Sequence, residues 1–293
     1  MKKAHKAGFV SIVGKPNVGK STLMNRLVGE SLSIISPKAQ TTRHRIMGML
    51  NTDDYQIVYS DTPGILEPKY ALHEAMMSYV KVSLEDADVI LLVIEYGEKF
   101  DPAVHERFKT IGTPILLLVN KVDKSPKADR QQIIAYWKEV LPVKQVIPVS
   151  ALTGENVETI LPALLELLPE HPAYFPKDDL TNRSERFFAA EIIREKIFTN
   201  YSQEIPYSTE VGIEDFKDEE KILRIRATLF VERDSQKGIL IGKAGSSLKK
   251  VGTEARTDME KFFGKKVFLE THVKVAGDWR KQKDKLRLFG YLE

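Results

Sequence analysis

The sequence contains no cysteine among its 293 residues, and this absence excludes disulfide bonds and thiolate-bound metal sites. It also contains no apolar run near the roughly 20 residues that cross a bilayer. The N-terminal segment is basic, but its apolar run is short and ends at Gly14 and Lys15. A first strand is therefore expected there rather than a signal peptide. We expect such a chain in a reducing, cytoplasmic setting.

The net charge of +3 hides an uneven distribution along the chain. Residues 237–293 carry 14 Lys and Arg against 7 Asp and Glu, whereas the remainder carries 30 against 34. A basic end on an acidic body suggests that this end meets a polyanion. The alternative is a solvated surface on which basic residues are merely more frequent.

The first half of the chain alternates short apolar runs with stretches of helical spacing. The runs GFVSIVG, DVILLVIE and TPILLLVNK are typical of buried parallel strands, and HRIMGMLNTDDYQIVYSD predicts two strands around a turn. The pattern therefore predicts a doubly wound α/β domain with a mixed sheet. A proline-rich polar stretch follows, after which the order α-β-β-α-α-β predicts a small α+β domain. The predicted division is a first domain at 1–170, a linker at 171–184 and a second domain at 185–293.

The stretch GKPNVGKS, from Gly14 to Ser21, has the spacing G-x-x-x-x-G-K-S between a predicted strand and a predicted helix. Its glycines let the backbone curl so that N–H groups point at phosphate oxygens, and the helix beginning at Lys20 adds its positive end. Lys20 is expected to reach the β and γ phosphates, and the Ser21 hydroxyl to bind Mg²⁺. The candidate nucleotide-binding residues here are Lys15, Asn17, Val18, Gly19, Lys20, Ser21 and Thr22.

Three further stretches, DTPG, NKVD and SAL, follow later apolar runs in the order that a nucleotide site at the carboxyl ends of the strands requires. Asp61 is a candidate Mg²⁺ carboxylate, and Gly64 can offer its N–H to the γ-phosphate. Asp123 can accept the two donors of a guanine edge, which adenine lacks, and Ala151 N–H could meet the guanine O6. For DTPG the alternative is an ordinary turn. The further candidate nucleotide-binding residues are Asp61, Gly64, Asn120, Lys121, Asp123, Ser150, Ala151 and Leu152.

Together with QTTRHR, these stretches resemble the Era branch of the translation-factor-class GTPases. The resemblance implies a P-loop GTPase domain that binds GTP or GDP with Mg²⁺ and hydrolyses GTP slowly. It also implies a switch threonine over Mg²⁺ and the γ-phosphate, which matches Thr42, with Thr41 as the less favoured choice. The Mg²⁺ residues would then be Ser21, Thr42 and Asp61, and the catalytic and switch residues Lys20, Thr41, Thr42, Gly64 and Ile65.

Ile65 stands where Ras-like switches carry a water-positioning glutamine. An isoleucine side chain cannot donate or accept a hydrogen bond. The attacking water and the charge that develops on the leaving group therefore need another partner. Related GTPases use K⁺, marked by a P-loop asparagine that matches Asn17. The alternative is that Asn17 only shapes the loop, and Arg43 or Arg45 are further candidates for charge stabilisation.

Near the basic end, Gly242 to Gly245 form a GxxG turn between two predicted short helices. Such a turn lets a nucleic-acid backbone approach closely, although glycine pairs also cap helices. With the order α-β-β-α-α-β, the segment resembles the type II KH domain of Era proteins, with Ala244 where members often carry glycine. The candidate RNA-binding residues are Ile239, Ile241, Gly242, Lys243, Ala244, Gly245, Lys249, Lys250, Arg280 and Lys281.

The resemblance implies a GTP-dependent switch that binds the 3′ end of 16S rRNA and assists maturation of the 30S subunit, acting as a monomer. A different interpretation is a signalling or cell-cycle GTPase at the inner face of the membrane, because a basic tail also suits anionic lipid. A GxxG turn favours RNA, since lipid binding needs positive charge but no glycine pair. A third interpretation is an RNA-binding module whose hydrolysis is incidental.

Overall fold

The computed structural model describes residues 4–124 and 126–292. Residues 1–3 and 293, which end the two predicted domains, lie outside the described residues. The described residues divide into two units. The first unit comprises the residues up to Ser33, Thr42–Glu67 and Met76–Asn182, and the second comprises Ile34–Thr41, Pro68–Ala75 and the residues from Arg183 onward.

The first unit carries an alternating series of strands and helices. The strands are β1 Lys6–Val13, β2 Ile46–Asn51, β3 Tyr55–Asp61, β4 Val89–Glu95, β5 Ile115–Asn120 and β6 Gln145–Pro148. The helices are α1 Lys20–Val28, α2 Ala71–Glu85, which begins among the residues of the second unit, α3 Pro102–His105, α4 Arg130–Val140 and α5 Ile160–Leu167.

In the part of the chain that the structure describes, six of these strands form one sheet in the order β2-β3-β1-β4-β5-β6. β2 pairs antiparallel with β3, and the other pairs are parallel. The central strands are buried along their length, which explains their unbroken apolar runs. The predicted doubly wound mixed sheet is confirmed. The carboxyl ends of β1, β3 and β5 carry the candidate nucleotide residues, as ligand binding in such sheets requires.

Much of the predicted linker packs on the first unit instead of standing free. The Tyr174 ring packs against the Phe9 ring at a tilt of 56°, with ring centroids 4.9 Å apart, and Tyr174 N–H donates to Gln56 Oε1 at 2.6 Å. Further along, Met49 N–H donates to the Leu180 carbonyl at 2.9 Å. The proline-rich composition indicated a segment without helix or strand, but it did not show that aromatic side chains attach the segment to the sheet.

The second unit builds a small α+β fold around an apolar core. Its helices are α6 Glu185–Asn200, α7 Ile205–Ser208, α8 Asp234–Ile241, α9 Ser246–Phe263 and α10 Lys283–Leu288, and its strands are β7 Glu210–Asp218, β8 Ile222–Val231 and β9 Lys266–Val275. The strand order is β7-β8-β9, with β8 antiparallel to β7 and parallel to β9. α6 begins where Ser184 caps it by accepting from Phe187 N–H.

Within the described residues, none of the helices combines the length and the apolar content that crossing a bilayer demands.

Candidate functional site

The loop between β1 and α1 has a backbone that its glycines alone can adopt. Gly14 has φ +152°, and a Cβ there would lie 2.1 Å from the Val93 carbonyl oxygen. Gly19 has φ +98°, and its Cβ would lie 2.2 Å from Asn120 Nδ2. Asn17 also has a positive φ of 64°, a conformation in which asparagine is enriched. Neighbouring strands and side chains thus enforce the curl that turns N–H groups toward a phosphate.

Lys20 is buried at the first turn of α1, and its Nζ donates to the carbonyls of Lys15 at 2.8 Å and Gly14 at 3.2 Å. Burial lowers the pKa of Lys20 to about 8, while Asp61 and Glu98 act in the opposite direction. A phosphate beside the ammonium would favour the charged form further. The loop therefore holds its lysine at the place where an anion is expected.

The Lys15 side chain is engaged by two carboxylates of the first unit. Its Nζ forms ion pairs with Asp101 at 2.7 Å and Glu98 at 3.4 Å. Lys15 therefore contributes to the site through its main-chain carbonyl. Val18 is likewise buried and offers its carbonyl, whereas Thr22 lies half-buried in the first turn of α1.

Three oxygen-bearing side chains from separate segments meet beside Lys20. Ser21 Oγ donates to Asp61 Oδ2 at 2.7 Å and lies 2.9 Å from Thr42 Oγ1. Thr42 Oγ1 donates to Asp61 Oδ2 at 3.4 Å. Burial raises the pKa of the Asp61 carboxyl, and Lys20 and the two hydroxyls partly offset this. Thr42, not Thr41, faces this group; the half-buried Thr41 belongs to the second unit.

The DTPG segment lies against the phosphate loop through its main chain. Ile65 N–H donates to the Gly14 carbonyl at 2.9 Å. A Cβ on Gly64 would stand 2.6 Å from Pro16 N, so only glycine allows this approach. The Ile65 side chain is 4% exposed and packs with Val13 in the core. Its role at the site therefore rests on the backbone.

The NKVD and SAL segments are joined by side-chain hydrogen bonds. Asn120 donates to the Val18 carbonyl at 2.7 Å and accepts from Ala151 N–H at 2.8 Å. Ser150 Oγ donates to Asp123 Oδ1 at 2.6 Å and so orients that carboxylate. Ala151 N–H, which the sequence assigned to a guanine O6, is engaged by Asn120 here, so that contact stays a prediction.

Three further candidate residues, Lys121, Leu152 and Arg45, contribute less to the site. Lys121 has φ +66° and pairs with Glu95 at 2.8 Å. Leu152 is 72% exposed. Arg45 is held by Asp86 at 2.5 Å and Ser60 at 3.1 Å, which does not favour the charge-stabilising role considered for it.

Sequence reasoning missed Arg26 of α1, which fixes the SAL loop. Its Nε donates to the Ala151 carbonyl and its Nη2 to the Leu152 carbonyl, both at 2.8 Å. No motif marks this arginine, because its contact depends on two segments 125 residues apart. Only the basic character of the last turn of α1 could have suggested it.

In the second unit the GxxG turn joins α8 to α9, and three of its four residues depart from helical geometry. Gly242 has φ +73°, Gly245 has φ +76° and Ala244, which carries a side chain, has φ +50°. Ile239 is 52% exposed, whereas Ile241 packs partly against the core. The exposed lysines around the turn are Lys243, Lys249 and Lys250. The turn thus presents open backbone, an apolar side chain and positive charge together.

Arg280 and Lys281 differ in their surroundings. Arg280 is ion-paired with Glu232 at 2.5 Å, and its guanidinium lies 5.1 Å from the Tyr70 ring centroid. Lys281 is largely exposed and lies 3.5 Å from Asp278. The structure therefore ties Arg280 into the second unit, and of the two it leaves Lys281 more open to a ligand.

The chain is similar to known proteins over nearly its whole length. A family model described as "50S ribosome-binding GTPase" matches residues 9–121, and a KH domain model matches residues 204–280. GTPase Era of Syntrophus aciditrophicus (strain SB) is 47% identical over 98% of this chain and 96% of its own length.

Two solved structures match nearly end to end. A crystal structure of Era in complex with MgGDPNP and nucleotides 1506-1542 of 16S ribosomal RNA is 41% identical, with a TM-score of 0.93, over 99% of this chain and 100% of that chain. A variant of Aquifex aeolicus Era bound to GDP.AlF4⁻ is also 41% identical, with a TM-score of 0.94, over 98% and 100%. A P-loop GTPase unit is followed by a KH unit, and the chain belongs to the Era family of GTPases.

Proposed function

We propose that this chain is a GTP-binding and GTP-hydrolysing switch that binds the 3′ end of 16S rRNA and assists maturation of the 30S subunit. The observation that carries the proposal is the meeting of Ser21, Thr42 and Asp61 oxygens beside the buried Lys20. The likeness of this chain to Era solved in complex with MgGDPNP and 16S rRNA supports the same assignment.

The oxygen donors fit Mg²⁺, which prefers hard oxygen ligands. The hydroxyls of Ser21 and Thr42 would hold the ion. The Asp61 carboxylate, which accepts hydrogen bonds from both hydroxyls, would orient them toward it. When bound, Mg²⁺ neutralises charge on the phosphate oxygens. Lys20 supplies a second positive charge in a desolvated position, where its effect on a phosphate is strong.

Asp123, oriented by Ser150, is placed to accept the two donors of a guanine edge. A site built on such hydrogen bonds discriminates by roughly 10⁴ or more against a base that lacks them. Asn120 keeps the base-recognising loops attached to the phosphate loop. GTP, not ATP, is therefore the proposed substrate.

Because the Ile65 side chain is apolar, the attacking water is assigned to main-chain groups next to the switch residues Thr42 and Gly64. K⁺ held near Asn17 is the proposed source of extra charge stabilisation. The left-handed backbone of Asn17 also explains an asparagine without any ion. Turnover that is several-fold faster in K⁺ than in Na⁺ buffer would support K⁺, and equal turnover would reject it.

Binding of a labelled 3′-terminal 16S rRNA oligonucleotide, with a GTP analogue or with GDP, tests the switch. Gly245→Asp places a negative side chain in the turn, where no atom in the described part of the chain lies within 4 Å of the added Cβ. Gly264→Asp is the matched control, because Gly264 has φ +64° and equally open surroundings. GTP-dependent binding that Gly245→Asp abolishes and Gly264→Asp keeps would support RNA binding on the turn.

RNA binding that is equal with the GTP analogue and with GDP, and that Gly245→Asp does not change, would reject that assignment. The membrane-surface alternative would then come first, tested with anionic vesicles. Peripheral membrane contact is part of the proposal, and the excess of Lys and Arg in residues 237–293 supports it. A cytoplasmic location, which fits a chain without cysteine, and a monomeric state, which the family resemblance implies, are also part of the proposal. RNA release that does not depend on turnover would favour the interpretation in which hydrolysis is incidental.

A further inference from the structure

Arg26, in the last turn of helix α1, holds two consecutive carbonyls of the SAL loop (residues 150–154). Its Nε donates to the Ala151 carbonyl and its Nη2 to the Leu152 carbonyl, both at 2.8 Å. A planar guanidinium presents its donors as a rigid fork, which suits a pair of neighbouring acceptors. The arginine and the loop both belong to the first unit.

The loop comes close to this guanidinium because of Gly154. Gly154 has φ +90°, and a Cβ there would lie 2.7 Å from Arg26 Nη1. The Gly154 N–H donates to the Ser150 carbonyl at 2.8 Å, which closes the loop. A glycine therefore allows both the left-handed turn and the close approach, and the backbone path of the loop matches the position of the arginine.

Ala151 is held on both of its flanking peptides. Its N–H donates to Asn120 Oδ1 at 2.8 Å, which fixes the peptide before it. Its carbonyl accepts from Arg26, which fixes the peptide after it. That peptide is planar and trans, so its other polar group, the Leu152 N–H, is turned away from the guanidinium. Arg26 therefore sets the direction of a main-chain donor that it does not touch.

The opposite side of the loop is attached to the NKVD segment by contacts that do not involve Arg26. Ser150 Oγ donates to Asp123 Oδ1 at 2.6 Å and accepts from Thr153 N–H at 3.1 Å. Arg130 Nη1 donates to Glu155 Oε1 at 2.7 Å. The carboxylate of Asp123 and the main chain of the SAL loop are thus oriented by different side chains.

We propose that Arg26 is a positioning residue for guanine recognition, acting through the Ala151 and Leu152 carbonyls on the main-chain N–H groups that meet the guanine O6. The inference rests on the proposed function, since the SAL loop is taken to lie beside the base. A loop that is already held in place loses less freedom when the base binds. The effect of Arg26 concerns O6, whereas the N1–H and N2–H₂ donors of guanine belong to Asp123.

A purely structural role for Arg26, stabilising α1 or the fold, would change the affinity for every nucleotide by the same factor. Two affinity ratios separate the roles. IDP lacks the 2-amino group but keeps O6, so the preference for GDP over IDP reports on Asp123. In 6-thioguanosine diphosphate a sulfur, which is a weak acceptor, replaces O6. The preference for GDP over this analogue therefore reports on the SAL loop.

The experiment measures equilibrium binding of GDP, IDP and 6-thioguanosine diphosphate to the full chain. Arg26→Met removes both donors and keeps a good helix former in α1. It should reduce the preference for GDP over the thio analogue about threefold to tenfold, because the hydrogen bonds that hold the loop are lost. The preference for GDP over IDP should stay within about twofold on the same principle.

Two control variants bracket this result. Arg107→Met removes an exposed arginine of the same unit outside the nucleotide motifs, and it should change neither preference. Asp123→Asn should reduce the preference for GDP over IDP, because the acceptor for the 2-amino group loses its charge. The three variants together separate loss of positive charge, loss of the loop contact and loss of the base-binding carboxylate.

An unchanged preference for GDP over the thio analogue in Arg26→Met would overturn the inference, even if the affinity for all three diphosphates fell. Equal reduction of both preferences, or absence of the thio preference in the unmodified chain, would overturn it too. If Arg26→Met fails to fold, Arg26→Lys replaces it, because one ammonium keeps the charge but cannot reach both carbonyls as the fork does. The same preference should then decrease, and an unchanged one would count against the inference. Failure of the unmodified chain to bind GDP would reject the proposed function instead.

Discussion

The nucleotide site and the GxxG turn both depend on glycine, but for different physical reasons. At Gly14 and Gly64 an added Cβ would meet backbone atoms, the Val93 carbonyl oxygen at 2.1 Å and Pro16 N at 2.6 Å. At Gly245 no atom of the described residues lies within 4 Å of such a Cβ, and at Gly242 the nearest atom is the Ser247 hydroxyl at 2.2 Å. The first site is shaped by its own protein neighbours, and the second by local backbone conformation.

The polar groups show the same contrast. In the nucleotide site Asn120, Ser150 and Asp61 are engaged with other protein groups. Around the turn, Lys243 and Lys249 are exposed. A small ligand with fixed geometry needs a rigid frame, whereas a flexible nucleic-acid strand can adapt to an open backbone.

The largest effect is expected when alanine is placed at Gly14. Backbone overlap with Val93 cannot be relieved by rotating a side chain, so we expect a loss of about 3 kcal/mol or more in the free energy of unfolding. Nucleotide binding should be lost with it. Urea denaturation of the full chain and binding of a fluorescent GDP analogue measure the two effects.

Gly245→Ala is the matched substitution in the turn. It adds only the strain of a left-handed alanine, about 1–2 kcal/mol, and should leave nucleotide binding intact. Similar losses from the two substitutions would contradict the contrast between the sites.

Asp61→Asn separates activity from stability within the nucleotide site. The substitution keeps the shape of the side chain and one hydrogen-bond acceptor but removes the negative charge. GTP turnover should therefore fall on the order of 10-fold to 100-fold. Burial raises the pKa of this carboxyl, so the nucleotide-free protein should unfold at the same or a higher urea concentration. RNA retention after GTP addition is the third measurement, because a switch that needs turnover should then fail to release RNA.

Ala244→Gly tests whether removing backbone strain from the turn improves stability and RNA binding. Ala244 has φ +50°, so glycine should stabilise the chain by about 1 kcal/mol and open the backbone slightly to RNA. Urea midpoints and RNA affinity should both rise. Ala244→Ser, which keeps a Cβ, is the control, and an equal gain there would exclude relief of backbone strain as the cause.

Most of the nucleotide site could be predicted from the sequence because its chemistry depends on short, contiguous segments. Residues such as Lys20, Asp61 and Asp123 each follow a recognisable apolar strand, and parallel strands bring their ends together. The mixed sheet followed from periodicity in the same way, as did the α-β-β-α-α-β order, to which the structure adds the short helices α7 and α10.

The remaining features depend on contacts between distant segments, which spacing does not encode. Arg26 holds a loop 125 residues away, and Arg194 reaches Thr41 across 153 residues. Lys15 has the position of a phosphate-binding residue, yet its side chain pairs with Asp101. For Arg280, a basic tail indicated RNA, whereas Glu232 and Tyr70 engage it.

The smallest expected effect concerns the acid sensitivity of the nucleotide-binding unit, through His105. Burial lowers the pKa of His105 to about 4, with the Lys15 charge adding to this and Asp101 opposing it. Its Nδ1 accepts from Asp101 N–H at 2.9 Å, and its Nε2 lies 3.5 Å from Glu98 Oε1. The folded chain thus keeps this ring neutral at pH values where the unfolded chain protonates it.

Between the ordinary histidine pKa of about 6.5 and the folded value, the unfolded state binds the extra proton. The free energy of unfolding should therefore decrease as pH falls through that interval.

His105→Asn keeps an acceptor for Asp101 N–H but does not titrate in that interval. On acidification to about pH 5, the free energy of unfolding of this variant should therefore decrease less than that of the unmodified chain, by on the order of 1 kcal/mol. Urea denaturation at several pH values measures both slopes, with His272→Asn in the KH unit as the control. Parallel slopes for the unmodified chain and His105→Asn would show that the acid sensitivity arises elsewhere.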